Sequence, residues 1–169
     1  MTIYDYDNDF AHYECDDKER SKLGQVWTPY SIIEKMMDKV DPSIWKNETK
    51  TGLDPTMGAG NIVIGMLYRR IVEYKQNPIV ALKNTYGVEL EPATCEYAKK
   101  RIAKFMKNFT NEDCSKIIEH NFVCSDISNG ILKSGVLRRL KRSRIWKDLQ
   151  NSLDRYKYKV VNSFHSSYK

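Results

Sequence analysis

The alternation of short apolar segments with helical repeats constrains the fold of this chain more than any other feature. Three short segments are predicted to be strands: 51–54, 86–90 and 120–124. Between them lie two segments with apolar residues at helical spacing, one from Ile62 to Val72 and one that begins at Pro92. In this second helix the basic residues are expected to face solvent (Lys99, Lys100, Arg101). The order strand, helix, strand, helix, strand favours parallel strands joined by right-handed crossovers. The sequence therefore predicts an α/β domain with three or four mainly parallel strands flanked by helices.

Two further regions extend this pattern towards the ends of the chain. A helix is predicted over residues 29–40, because apolar residues repeat at a spacing of three to four after a proline. Residues 132–153 show a weaker helical pattern, and alternation over residues 156–161 predicts a fourth strand. Without that fourth strand, the first strand would be an unpaired edge of the sheet.

Charge is distributed unevenly along the chain of 169 residues, which carries a formal charge of +6. Residues 133–169 contain 11 basic and two acidic residues, a net charge of +9, so the preceding 132 residues carry −3. Seven acids fall within residues 1–20. The charge pattern divides the chain into an acidic arm over residues 1–22, expected to be loose, a body over 23–130 and a basic tail over 131–169.

Composition excludes several classes of protein. No run of about 18 apolar residues exists to span a membrane, and the polar, acidic N-terminus is unlike a signal peptide. The four cysteines form no C-x-x-C pair and the three histidines are scattered. Free thiols are therefore favoured over a zinc site or a disulfide framework. We expect a cytoplasmic protein without a membrane segment or a metal.

Residues with ligand-binding chemistry fall at the ends of the three predicted strands, where α/β sheets build their sites. The loop after the first strand contains Gly58 and Gly60, whose backbone a ligand can approach closely. Glu89 ends the second strand and can accept two hydrogen bonds from a ribose diol, and Asp126 after the third strand can accept one from an adenine amine. Taken alone, the glycine pair is more typical of a tight turn, and Asp126 of an exposed turn.

Four segments together resemble the motifs of the S-adenosylmethionine-dependent DNA methyltransferases that modify adenine, especially those of Type I and Type IIG restriction–modification systems. Residues 23–29 (LGQVWTP) resemble the family's G-Q-F-x-T-P motif, and residues 53–60 (LDPTMGAG) resemble its D-P-x-x-G-x-G loop. Residues 86–92 (YGVELEP) resemble its G-x-E-x-D-P motif, and residues 124–127 (CSDI) the motif that follows. Order and spacing match over about residues 20–128. The resemblance therefore implies a truncated, Rossmann-like methyltransferase fold.

The same resemblance implies a role towards S-adenosylmethionine for each matched residue. It places Thr28 at the methionine end, the loop over residues 54–60 around the centre of the cofactor, and Glu89 on the ribose hydroxyls. It places Asp126 against adenine, with Ile127 packed on the ring. The cofactor-binding residues that it implies are Thr28, Pro29, Asp54, Pro55, Gly58, Gly60, Glu89, Asp126 and Ile127.

The catalytic motif of that family is missing from this chain. The family uses Asn/Asp-Pro-Pro-Tyr/Phe after the fourth strand to hold the target amine and to stack on the flipped base. No proline follows Pro92 here, so no catalytic residue is assigned. Asn162 and Phe164 are either a degenerate remnant of the motif or part of a frayed tail. We expect that this chain does not methylate DNA on its own.

Two functions of different classes remain open. The chain is either the cofactor-binding part of a DNA adenine-N6 methyltransferase, whose partner supplies the missing motif, or a non-catalytic pseudo-methyltransferase. In the second case it binds DNA or a restriction–modification partner as a regulator or inhibitor. The incomplete sheet also invites a protein partner or self-association. Three alternatives remain open for the basic tail. It contacts a DNA backbone, it forms a helix with a solvated face, or it folds against the acidic arm. Its candidate DNA-binding residues are Arg138, Arg139, Lys141, Arg142 and Arg144.

Overall fold

A parallel sheet of three strands organises the molecule. The computed structural model describes residues 2–7 and 28–126. The strands lie in the order β1-β2-β3, and both neighbouring pairs are parallel. Their bounds are β1 Gly52–Asp54, β2 Thr85–Glu89 and β3 Phe122–Cys124. The mixed α/β architecture predicted from the sequence is confirmed, with β2 in the centre and β1 at an edge of the described sheet.

Helices flank the sheet and form both connections between strands. Two precede β1, two connect β1 to β2, and two connect β2 to β3. A π-helical turn, Arg69–Glu73, extends the third helix. The helices are α1 Tyr30–Asp38, α2 Pro42–Lys46, α3 Asn61–Tyr68, α4 Pro78–Lys83, α5 Pro92–Met106 and α6 Ser115–Asn121.

The sequence pattern does not predict the short helices α2, α4 and α6. In α2 the Asp41 side chain caps the first turn by accepting a hydrogen bond from the Ser43 N–H (2.8 Å). In α4 the Asn77 side chain accepts one from the Ile79 N–H (2.9 Å). Both caps precede a proline in the first turn, which is a start signal for a helix. Helices of five and six residues are nevertheless too short to show an apolar repeat.

Strand β3 begins later than predicted. His120 and Asn121, which were expected in the strand, belong to α6. The Asn121 amide donates hydrogen bonds to the carbonyls of Leu82 (2.9 Å) and Thr85 (3.0 Å). These bonds fix the end of α6 beside the start of β2, so that the chain becomes extended only at Phe122.

The hydrophobic core lies between the sheet and the helices that contact it. Ile33 of α1, Leu67 of α3, Phe105 of α5 and Phe122 of β3 are all fully buried. Burial of a side chain of this size stabilises a fold by about 1.5–3 kcal/mol. Since α3 and α5 both pack on β2, the core fixes the N-termini of these two helices next to the ends of the strands.

Residues 2–7 contradict the prediction of a loose N-terminal arm. They contain a 3-10 turn at Ile3–Asp5, and Ile3 is fully buried. Asp7 is also buried and forms an ion pair with Arg101. Acidic composition indicated a solvated segment, but one buried apolar side chain and one buried charge pair attach these residues to the domain.

The C-terminal predictions and part of the N-terminal ones lie outside the described residues. They are the arm over 8–22, the start of the first motif over 23–27, Ile127, the helix over 132–153, the strand over 156–161, the basic residues 138–144, Asn162 and Phe164. In the part of the chain that the structure describes, no helix has the length and apolar character needed to cross a membrane.

A candidate ligand site at the strand ends

The loop between β1 and α3 folds against the end of β2. The Met57 N–H donates to the Val88 carbonyl (2.8 Å), and the Gly60 N–H donates to the Met57 carbonyl (2.8 Å), which closes a tight turn. Gly58 and Gly60 have φ values of +52° and +89°, in a region that residues with a Cβ atom rarely adopt. The backbone conformation therefore requires these glycines, whatever the loop binds.

Glu89 connects this loop to the start of α5. Its side chain is buried, and its Oε2 accepts a hydrogen bond from the Gly58 N–H (2.8 Å). Its Oε1 accepts one from the Glu91 N–H (3.0 Å). A carboxylate has about four acceptor positions, so Glu89 can accept a ligand hydroxyl while it still holds the loop.

Asp54 is a buried carboxylate at the end of β1. It is 5% exposed, and its Oδ1 accepts a hydrogen bond from the Thr56 N–H (3.1 Å). Its Oδ2 has no hydrogen-bond partner among residues 2–7 and 28–126. Burial raises the pKa of Asp54 from 3.8 to about 6; the Thr56 N–H opposes this shift, and the Glu89 carboxylate adds to it. A ligand with a positive charge would therefore relieve the cost of ionised Asp54.

Thr28 and the glycine loop line a small cavity beside Asp54. Its volume is about 50 Å³, much less than the ~300–1,000 Å³ of most ligand pockets, so it accommodates one small group and not a nucleoside. The Asn61 amide donates to the Thr28 carbonyl (3.1 Å), which ties the end of the first motif to α3. The lining residues are Thr28, Asp54, Thr56, Met57, Gly58, Ala59, Asn61 and Ile62.

The other predicted site residues lie at the ends of neighbouring elements. Pro29 is the exposed N-cap of α1, and Pro55 is partly buried in the glycine loop. Beyond β3, the Ser125 N–H donates to the Glu89 carbonyl (2.8 Å), and the partly buried Asp126 follows. The structure thus brings Thr28, Asp54 and Glu89 together around the glycine loop, and it places Asp126 beyond the end of the adjacent strand.

Leu90 contradicts the prediction that it lies in the second strand, because β2 runs from Thr85 to Glu89 and stops one residue before it. Its side chain is 61% exposed, although it directly follows a strand in which every residue is buried. Its carbonyl accepts a hydrogen bond from the Cys124 thiol (3.5 Å), so it lies next to the end of β3. An apolar surface is therefore available beside the Glu89 carboxylate.

Arg101 contradicts the prediction that it faces solvent, because it is 3% exposed. Its Nη1 donates to the carbonyl of Ala59 (3.0 Å) and to the side-chain oxygen of Asn61. Position 101 lies three residues after Ala98 and four before Phe105, both of which are buried. Helical spacing alone places it on the buried face, and the prediction failed because it grouped the residue by charge.

Neither a metal nor a relative identifies the site. Within residues 2–7 and 28–126, no group of three or more His, Cys, Asp and Glu side chains is arranged to hold a metal ion. Comparisons of the chain with protein families, with curated proteins and with solved structures find no match.

Proposed function

We propose that the chain binds S-adenosylmethionine at the strand ends, as the cofactor-binding part of a DNA adenine-N6 methyltransferase with a Rossmann-like fold. The observation that carries the proposal is the buried Asp54 carboxylate, whose Oδ2 has no hydrogen-bond partner in the described structure. S-adenosylmethionine carries a sulfonium and an ammonium group, and either supplies the positive charge that this carboxylate lacks. Thr28 lines the same cavity and is suited to the methionine end.

The charge of the site argues against a nucleotide phosphate. Dinucleotides also bind at a glycine-rich loop, where free N–H groups at a helix N-terminus hold their pyrophosphate. Among residues 2–7 and 28–126, no lysine or arginine lines this cavity, whereas Asp54 does. Glu89 bonds to the same loop. Two buried carboxylates repel a pyrophosphate and attract a cation, which favours S-adenosylmethionine over a dinucleotide.

The nucleoside would lie outside the small cavity, along the ends of β2 and β3. Glu89 would accept hydrogen bonds from the ribose hydroxyls while it keeps its bond to Gly58. The exposed Leu90 side chain would cover one face of the adenine ring. Asp126 would accept a hydrogen bond from the adenine amine, and Ile127 would pack on the ring as the family resemblance implies.

Methyl transfer to DNA needs groups that these residues do not supply. No proline follows Pro92, so the rigid Pro-Pro turn that holds a target amine is missing. We therefore propose that the chain binds the cofactor without methylating adenine on its own, and that a protein partner contributes the missing acceptor. Contacts between basic residues 138–144 and the DNA backbone belong to the same proposal.

Calorimetric titration with S-adenosylmethionine tests the proposal. Asp54→Asn removes the charge of the buried carboxylate, and the matched control Asp41→Asn replaces one helix cap by another at an exposed position. We expect wild type and Asp41→Asn to bind with equal affinity, and Asp54→Asn to bind at least about tenfold more weakly.

Adenosine separates loss of charge from damage to the loop, because it has the same ribose and adenine but no positive charge. We expect wild type and Asp54→Asn to bind adenosine equally. Equal losses for both ligands would show that the substitution disrupts the loop. Absence of S-adenosylmethionine binding by the folded wild-type chain would overturn the proposed function.

A non-catalytic interaction protein is the second candidate, and the missing Pro-Pro motif favours it. In that case the chain would bind DNA or a restriction–modification partner as a regulator or inhibitor. A folded wild-type chain that binds no S-adenosylmethionine but binds DNA would support this candidate. Transfer of labelled methyl groups to DNA adenine by the purified chain would contradict it.

A further inference from the structure

Arg101 links the N-terminal segment to the domain through a buried ion pair. Its Nε and Nη2 lie 2.8 Å and 2.7 Å from the same oxygen, Oδ2 of Asp7. Both residues are 3% exposed, and 94 positions separate them in the sequence. Because a buried charge without its partner is strongly destabilised, each side chain fixes the position of the other.

The same guanidinium also binds the glycine loop of the candidate site. Its Nη1 donates to the Ala59 carbonyl (3.0 Å) and to the Asn61 side chain. Asn61 in turn donates to the carbonyl of Thr28 (3.1 Å). Because a guanidinium is planar and rigid, the bonds to Asp7 fix the direction of those to the loop. One side chain thus couples the N-terminal segment to both motifs that line the cavity.

Contacts that do not involve the loop hold the N-terminal segment in place. Ile3 is fully buried. The Tyr6 ring lies 4.9 Å from the Phe109 ring, and the Asn108 amide donates to the Tyr6 carbonyl (3.1 Å). These contacts attach the segment to the chain just beyond α5. It therefore provides a fixed point from which Asp7 can orient Arg101.

We infer that Asp7 is a positioning residue for the candidate ligand site, which it orients through Arg101. Without the negative charge of Asp7, the guanidinium loses its ion pair, and the neutral amide oxygen that Asp7→Asn retains is a weaker acceptor for Nε. Ala59 and Asn61 then lose a directed donor, and the loop loosens. The part of the inference that concerns ligand affinity rests on the proposed function, whereas the part that concerns loop geometry does not.

Amide hydrogen exchange, measured by NMR on the ligand-free full chain, tests the coupling. The N–H groups of Gly58 and Gly60 are hydrogen-bonded in the structure and report on the loop. The N–H of Gly52 in β1, which donates to the Asn84 carbonyl at the opposite end of the strand from the loop, reports on the sheet. In Asp7→Asn we expect exchange at the two loop amides to accelerate at least about tenfold more than at the sheet amide.

Two further variants separate positioning from a loss of stability. Arg101→Lys keeps a positive charge beside Asp7, but its single nitrogen replaces three, so we expect the same selective loosening of the loop. Ile118→Ala removes buried apolar surface in α6, and we expect it to accelerate exchange at the loop and sheet amides alike. Equal acceleration at loop and sheet in Asp7→Asn and Arg101→Lys would reduce the ion pair to a stabilising contact and overturn the inference.

Titration of the same variants with S-adenosylmethionine distinguishes this inference from the proposed function. Selective loosening together with an affinity at least about fivefold weaker in Asp7→Asn supports both. Selective loosening in a protein whose wild type binds no S-adenosylmethionine supports the coupling and overturns the proposed function. Unchanged exchange at Gly58 and Gly60 in both variants overturns the coupling, whatever the affinity.

Discussion

Asp7 and Asp54 are both buried, but the molecule compensates their charges in different ways. The Asp7 carboxylate is paired with Arg101. The Asp54 carboxylate has one oxygen without a hydrogen-bond partner among the described residues, and burial above all raises its pKa to about 6. A buried charge that keeps its partner fits a structural role, whereas an uncompensated one costs stability and is typical of functional sites. The comparison separates a carboxylate that positions the loop through its ion pair from one that is directed at a ligand.

The largest expected effect is that of Asp7→Asn on stability. Removal of one partner leaves the Arg101 charge buried, so we expect the free energy of unfolding to fall by about 3–5 kcal/mol. Denaturant unfolding at neutral pH measures this. If the free energy of unfolding fell by less than about 1 kcal/mol, the pair would contribute no more than a surface ion pair. Asp7 and Asp54 would then not differ in how their charges are compensated.

Asp54→Asn should change stability in the opposite direction. Folding raises the pKa of Asp54 from 3.8 to about 6, so between these values the folded chain retains a proton that the unfolded chain has lost. This contribution to stability is present below about pH 4 and is lost as the pH rises through 6. Since asparagine does not ionise, the variant should gain about 2–3 kcal/mol of stability relative to wild type as the pH rises from about 4 to about 7.

Denaturant unfolding of both proteins between about pH 4 and pH 8 checks this prediction. The quantity of interest is the difference between the two free energies of unfolding, because other groups titrate alike in both proteins. We expect that difference to grow with pH. A difference that does not vary with pH would mean that Asp54 ionises as freely in the folded chain as in the unfolded one.

A smaller effect is expected in the loop on which both aspartates act. Gly60 has a φ of +89°, and Gly58 has a φ of +52° with no atom near the position of a Cβ. Gly60→Ala should lower the free energy of unfolding by about 1–2 kcal/mol, and Gly58→Ala by less. Thermal unfolding of the two variants compares them. An equal or larger loss for Gly58→Ala would show that the dihedral angle does not set the cost.

The smallest effect is expected at Lys99, which lies on the same helix as Arg101. It pairs with Glu96 (2.9 Å) and Glu119 (2.7 Å), whose carboxylates are largely exposed. Lys99→Met should therefore change the free energy of unfolding by less than about 1 kcal/mol. A loss as large as that of Asp7→Asn would show that burial does not distinguish the two kinds of ion pair.

The order of strands and long helices could be predicted because it depends on local patterns in the sequence. Residues 86–90 form a short segment that ends before Pro92, and α5 repeats its apolar residues at helical spacing over 15 residues. The helices α2 and α4 are set by one cap and one proline each, a signal that is too short for periodicity to detect. The late start of β3 depends on the contact between Asn121 and the start of β2, which no local pattern contains.

The candidate site was only partly predictable from the sequence. The glycine loop and Glu89 meet because the carboxyl ends of parallel strands share one edge of the sheet. The helical spacing of Arg101 predicts that it lies on the buried face of α5, whereas its charge led to the prediction that it faces solvent. Asp7 carries no local signal at all, since its partner lies 94 residues away. Long-range pairing of this kind requires the folded structure.

The pH dependence of S-adenosylmethionine affinity tests the central claim, that Asp54 meets a cationic ligand, most directly. The carboxylate must be ionised to bind a cation, and its pKa is about 6. Calorimetry at pH 5, 6 and 7 should therefore show binding about tenfold weaker at pH 5 than at pH 7, with no such change for adenosine. An S-adenosylmethionine affinity that is constant over this range, or stronger at pH 5, would contradict the claim.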